Sequence, residues 1–365
     1  MWFPQNWNPI ALTKPGLRTL FKLMKQCCLE IKNLDKLLGN RAAISQLNLS
    51  ISKGKKIALL GLNGAGKSSF IRLLVGESKP DDGQINYKID QPEIKHKNRI
   101  SGLEVGPQDL LFKQSLGYQS DTMLAIGEMT GREYLNLCGS FKKLKHKIIN
   151  KQIDLISLKW SIANLLEQPM STLSKGNLQK LAIAQAFIGE PKWLFFDEPC
   201  QSLDPLEQDR FNQNIKDLND IQLCIFSTHN VSHALEVADE VILFHQAKIV
   251  YHFKIQSEAN QVSEKHPQYS YLMVCKNPSI NICEFSAELD LSIQRIGQQV
   301  YQIQTTKTQS IEQLKKNLQQ ESVVIEFCLD EAQAVMPLFR LLASGEINFD
   351  QHNLVSSLQL EGAGQ

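Results

Sequence analysis

From about residue 28 to residue 255, short apolar runs of strand length recur at Ile57–Leu60, Trp193–Phe196, Leu223–Phe226 and Val241–Phe244. Each is apolar at successive positions rather than at every second one, so both faces of the strand are suited to burial. Helical segments separate them, and the alternation predicts an α/β domain with a mainly parallel central sheet. Between Gln119 and Lys180 the strand pattern lapses, and Arg132–Phe141 and Ile148–Leu158 read as helices of mixed charge, a helical insertion. The segment from Tyr87 to Lys113, rich in Lys, Asp and Gly, reads as exposed loops or edge strands.

After His252 the pattern changes to a polar stretch, KIQSEANQVSEKHPQ, with the character of a linker. Strand patterns follow at Tyr271–Cys275, Val300–Ile303 and Val323–Phe327. A helix over Ile311–Leu318 places Ile311, Leu314 and Leu318 on one face, and a second spans Ala332–Leu342 around Pro337. The expected organisation is an N-terminal extension (1–27), an α/β domain (28–255) with its helical part at about 120–180, a linker (256–267) and a small α+β accessory domain (268–365). In the N-terminal stretch, Lys14, Arg18, Lys22 and Lys25 are interleaved with Leu17, Leu20, Phe21, Leu23 and Met24. That pattern fits either a short interfacial helix or a plain arm.

Composition narrows the function classes. The 365 residues carry 39 Lys and Arg against 38 Asp and Glu, a net charge of +1, so no whole-chain attraction to nucleic acid or acidic lipid is expected. The eight cysteines show no CxxC spacing, which fits a reducing, cytoplasmic setting. No apolar run approaches the ~20 residues needed to cross a membrane.

The strongest chemical signal is Gly61-Leu62-Asn63-Gly64-Ala65-Gly66-Lys67-Ser68, followed by Ser69, between the strand-like KKIALL and the helical SSFIRLLVG. This is a GxxxxGKS phosphate loop in the strand-to-helix context that the motif requires. Glycines let successive N–H groups face phosphate oxygens, Lys67 reaches the β and γ phosphates, and the Ser68 hydroxyl suits Mg²⁺. Downstream, the apolar Trp193–Phe196 run ends in Asp197 and Glu198. Adjacent strand residues point to opposite sides, so Asp197 suits a magnesium shell and Glu198 an attacking water. A third stretch, TLSKGNLQK, reads as a helix start in which Ser174 caps free N–H groups, a geometry that also suits anions.

Taken together, GLNGAGKS, the Tyr118-Gln119 pair, LSKGNLQK, LFFDEP, Ser202-Leu203-Asp204-Pro205 and Ser227-Thr228-His229 occur in the order seen in ATP-binding-cassette (ABC) transporter ATPases, and the chain resembles that family over about residues 28–255. The resemblance implies a P-loop NTPase fold of the ABC type: a RecA-like core with an antiparallel β subdomain and a helical insertion. It makes Gln119 a magnesium and water contact, His229 the switch histidine on the γ phosphate, and Asp204 part of the loop lining a cassette–cassette interface. Departures are Leu38 where an adenine-stacking aromatic often stands, Lys175 and Asn177 in place of the Gly and Gln of the LSGGQ signature, and Ser202 in place of a common glycine.

In the family two cassettes pack head to tail, so Ser174 and Gly176 would close over ATP held by the partner's phosphate loop. The reading is therefore an MgATP-hydrolysing subunit working as a homodimer or paired cassette, docked on a separate membrane permease at the inner face of the membrane. The LSKG form and the extra C-terminal domain point to export. Alternatives are a non-transport ABC ATPase acting on ribosomes or DNA, and a nucleotide-responsive regulatory module.

Overall fold

The computed structural model describes residues 27–39, 41–89, 103–122, 126–255, 269–276 and 280–347. The expected N-terminal helix or arm and nearly all of the linker lie outside the described residues. The strands before residue 255 are β1 (Cys27–Leu38), β2 (Arg41–Ser52), β3 (Lys55–Leu60), β4 (Asp82–Ile89), β5 (Leu103–Val105), β6 (Leu116–Gln119), β7 (Trp193–Phe196), β8 (Leu223–Thr228), β9 (Glu240–His245) and β10 (Lys248–Lys254). Those after it are β11 (Tyr269–Lys276), β12 (Ser292–Arg295), β13 (Val300–Thr305) and β14 (Val324–Asp330).

The central sheet has the order β10-β9-β3-β8-β7-β6, parallel from β9 to β6 with β10 antiparallel at its edge. Its inner strands β3, β7, β8 and β9 carry continuous apolar runs because each face meets a different layer. Ile57, Leu59, Trp193, Phe195, Leu223 and Ile225 pack with Phe70 and the inner face of a second, antiparallel sheet of order β2-β1-β4-β5. The alternate residues Ala58, Leu60, Leu194, Phe196, Cys224 and Phe226 pack with helices Lys175–Ala186, Pro205–Lys216 and Val231–Val237.

The insertion is helical as expected, over Gly131–Phe141 and His146–Lys159, and its first helix opens on a Thr130–Glu133 capping box. In the segment from Tyr87 to Lys113, residues 90–102 lie outside the described residues, and the described parts depart from the exposed reading. β5 is an edge strand, but Tyr87, Val105 and Phe112 are buried, and Leu110–Gln114 is a short helix. Tyr87 stacks on Phe112 at 4.1 Å and meets Trp193 edge-on at 4.9 Å, so these aromatics join the two sheets.

A third sheet, of order β12-β13-β11-β14 and antiparallel in every pairing, follows. Helix Thr308–Gln320 buries Ile311, Leu314 and Leu318, and helix Glu331–Ser344 carries Pro337 within it. The second helix faces the first two thirds of the chain. Its Ala334, Val335, Leu338 and Leu342 share one apolar cluster with Tyr251 and Phe253 of β10, Leu272 and Val274 of β11, and Val231, Ala234 and Val237. At the head of this seam Glu331 Oε1 accepts hydrogen bonds from the Tyr251 hydroxyl at 2.9 Å and Gln302 Nε2 at 3.1 Å, and also from Ser270.

Candidate functional site

Parallel register brings the motifs to one edge. Gln119 lies opposite Phe196, Phe196 opposite Phe226, and Leu60 opposite Thr228. Thus Gly61, Gln119, Asp197 and His229 all sit at or just beyond the carboxyl ends of neighbouring strands, where open α/β sheets hold ligands.

The Gly61–Ser68 loop leaves β3 and enters helix Lys67–Leu74. Gly66 has φ +108° and Gly64 φ +80°, conformations that favour glycine. A Cβ on Gly61 would lie 2.6 Å from the Phe244 carbonyl, and one on Gly66 2.5 Å from that of Ala43. Lys67 is buried, and its ammonium donates to the Gly61 carbonyl at 2.7 Å and that of Leu62 at 3.2 Å. Leu62, Asn63 and Gly64 are exposed, while Ser68 and Ser69 are half-buried.

Asp197 is fully buried, and its Oδ1 accepts a 2.6 Å hydrogen bond from Ser227. The Ser227 Oγ also accepts the Glu198 N–H at 2.7 Å. Glu198 sits at φ +46°, an uncommon conformation for a residue with a side chain, so this serine holds a strained turn in place. The Glu198 carboxylate reaches both ways, with Oε2 3.0 Å from His229 Nδ1 and Oε1 3.4 Å from Lys67 Nζ. Gln119 is buried, and its amide donates to the Asp197 carbonyl at 3.2 Å. Sequence reasoning missed Ser227 as a functional residue; its signal was a hydroxyl closing an otherwise apolar strand beside Asp197.

These residues also fit a cation. Asp197 Oδ2 and Gln119 Oε1 are buried oxygens without hydrogen-bond partners. Such atoms are costly in a protein interior unless a ligand or metal satisfies them. Burial raises the Asp197 pKa above the ordinary carboxylate range, with Ser227 and Ser68 hydroxyls pulling it back and the charges of Asp121 and Glu198 adding to the rise. With the folded value raised, Asp197's favourable contribution is complete below its unfolded pKa and is lost as pH rises through the folded one. Asp197→Asn is therefore expected to flatten the acid-side stability profile of the metal-free protein and to abolish hydrolysis. Urea unfolding across pH, with an assay of phosphate release, checks this.

Ser174 N-caps helix Lys175–Ala186, accepting the Asn177 N–H at 3.3 Å, and is exposed. Gly176 is needed for close packing, since a Cβ there would lie 2.8 Å from the Ser202 carbonyl. Gln179, buried in the same helix, donates to the Pro199 carbonyl at 2.9 Å. The helix start is thereby fixed to the turn that follows Glu198, while Ser174 itself faces outward. Asp204, also exposed, caps helix Pro205–Lys216 through the Glu207 N–H at 2.9 Å. Leu38 is exposed at the end of β1.

A phosphate loop, a strand-end Asp–Glu pair, a glutamine and a histidine at one sheet edge, with a helical insertion ahead of a serine-capped helix, define an ABC-type ATPase. The chain belongs to the ABC transporter ATP-binding family and is an ATP hydrolase of that class. The family profile described as ABC transporter matches residues 44–201. The chain is 28% identical over 244 residues to the ABC transporter ATP-binding protein YdbJ of Bacillus subtilis (strain 168), covering 66% of this chain and 74% of that protein. It is 30% identical over 229 residues to the xylose/arabinose import ATP-binding protein XylG of Sulfolobus acidocaldarius, covering 62% and 88%. The fold matches the ATP-binding cassette MJ0796, solved as a dimer with ADP and Pi, at a TM-score of 0.54 and 20% identity over 63% of this chain and 99% of that one. No described helix is long and apolar enough to cross a membrane.

Proposed function

We propose that this chain is the ATP-hydrolysing subunit of a transporter whose membrane-spanning permease is a separate chain, and that it works as a head-to-tail pair of cassettes. The convergence of Lys67, Asp197, Glu198, Gln119 and His229 at adjacent strand ends is the observation that carries this reading. The Gly61–Ser68 backbone and Lys67 hold the phosphates, and Ser68, Asp197 and Gln119 hold Mg²⁺. The metal, when bound, neutralises phosphate charge and orients the terminal phosphoryl group. Glu198 takes the proton from an attacking water, and His229, hydrogen-bonded to Glu198, binds the γ phosphate. Ser174 and the N–H groups behind it act on ATP held by the partner subunit.

Residues 269–347 form an accessory unit in this proposal, seated on β10 and the helix that follows the switch histidine. As to direction, the relatives XylG, FbpC and CysA are all named for import, which does not support the export expectation and leans toward import. The test is fractionation of cells expressing the full chain, with in-cell crosslinking. Recovery crosslinked to a protein with several membrane spans is the expected outcome; recovery with ribosomal RNA instead would move the chain to the non-transport ATPases.

A further inference from the structure

His233 lies outside the motifs, one turn into helix Val231–Val237. It is 9% exposed, with its ring tilted against Phe226 at 5.1 Å and edge-on to Phe211 at 6.0 Å. Packing alone would explain a phenylalanine there. The imidazole differs in spending both ring nitrogens on chain segments next to the reacting groups. Nδ1 lies 3.3 Å from Thr228 Oγ1, the residue before His229. Nε2 lies 3.7 Å from Cys200 Sγ, two residues after Glu198. Thr228 Oγ1 in turn accepts the Asn230 N–H at 3.0 Å, which closes the turn carrying His229.

We propose that His233 is a positioning residue for ATP hydrolysis: its ring ties the turn after Glu198 to the turn around His229 and so fixes the 3.0 Å contact between their side chains. This rests on the roles given above to Glu198 and His229. His229 is half exposed and so is not anchored by its own burial, and Glu198 holds a strained backbone conformation. A bridge beneath them supplies the missing restraint. A neutral ring offers one donor and one acceptor, which the Thr228 hydroxyl and the Cys200 thiol, each able to donate or accept, can complement. Burial keeps it neutral, lowering the His233 pKa to about 4 against the opposing pull of Glu236 and Glu198. Cys200 stays a thiol, its pKa pushed up to about 12 by burial and by the charges of Glu198 and Glu236.

Phosphate release by the full chain is compared for His233→Phe, His233→Asn and Thr228→Val, with Glu198→Gln as reference. His233→Phe keeps the packing and removes both polar contacts, and is expected to lower kcat about tenfold at unchanged KM and melting temperature. His233→Asn, which retains a polar group near Thr228, recovers most of that loss, and Thr228→Val reproduces it. The proposal is overturned if His233→Phe turns over within twofold of the parent. It is equally overturned if kcat falls only in step with thermal stability, without rescue by His233→Asn. Should His233→Phe fail to fold, a normal kcat for a folded Thr228→Val sinks it. If Glu198→Gln itself hydrolyses ATP normally, the underlying site assignment fails instead.

Discussion

Glu198→Gln is expected to lower ATP turnover by about 10²–10⁴-fold while leaving ATP binding intact, so that an ATP-bound pair of subunits accumulates. The amide keeps the shape of the carboxylate and the hydrogen bond from the Glu198 N–H to Ser227, a backbone contact. It cannot accept a proton from water at neutral pH, and it removes the charge lying 3.4 Å from Lys67. The phosphate loop is untouched, so binding survives and the chemical step does not. Phosphate release measured beside light scattering with ATP separates the two. A variant that hydrolyses at the parental rate would falsify the assignment of Glu198.

The second large effect is expected at Ser174, where arginine should abolish ATP-driven association and with it most hydrolysis, while a single chain still binds nucleotide. Ser174 is exposed and bonded within its own helix start, so a bulky cation there obstructs whatever docks against it. Loss of the cap alone would cost roughly 0.5–2 kcal/mol and confuse the result. Ser174→Asp controls for this, because aspartate caps as well as serine but sets a negative charge against the partner's phosphates. Both variants should lose the dimer, and only arginine should lower the melting temperature. Preserved dimerisation in both would show that the signature serine does not face the partner's nucleotide.

The four inner strands of the central sheet, β3, β7, β8 and β9, were legible because they are buried on both faces and a continuous apolar run survives in the sequence without any knowledge of partners; the edge strands β6 and β10, polar at several positions, were not. Loop chemistry was legible for a different reason: the phosphate loop, the Asp–Glu pair and the capping serine are local patterns. What escaped was non-local or irregular. β1 and β2 pair with several register shifts, and Asn33 and Gln46 take left-handed conformations, so the alternation that marks an amphipathic strand is broken. Phe112 follows Leu110 and Leu111, which are exposed, so hydrophobicity alone does not single it out, and its burial depends on Tyr87 and Trp193, far away in sequence. Ser227 and His233 act through contacts with Asp197 and Cys200 that only the pairing of β7 with β8 and the packing of the next helix create.

The seam closed by Glu331 has a thermodynamic consequence. Since Leu338 and Leu342 share one interior with Tyr251, Phe253 and Val237, the last helix cannot detach without wetting β10 and the helix that leaves the switch histidine. The sheet holding the phosphate loop and the described part of the C-terminal unit therefore lack independent melting equilibria across this seam; they open together or stay closed together. Damage to the terminal sheet thus reaches the hydrolytic edge as a change in how often that edge exists in working form, without any signal passing to the nucleotide.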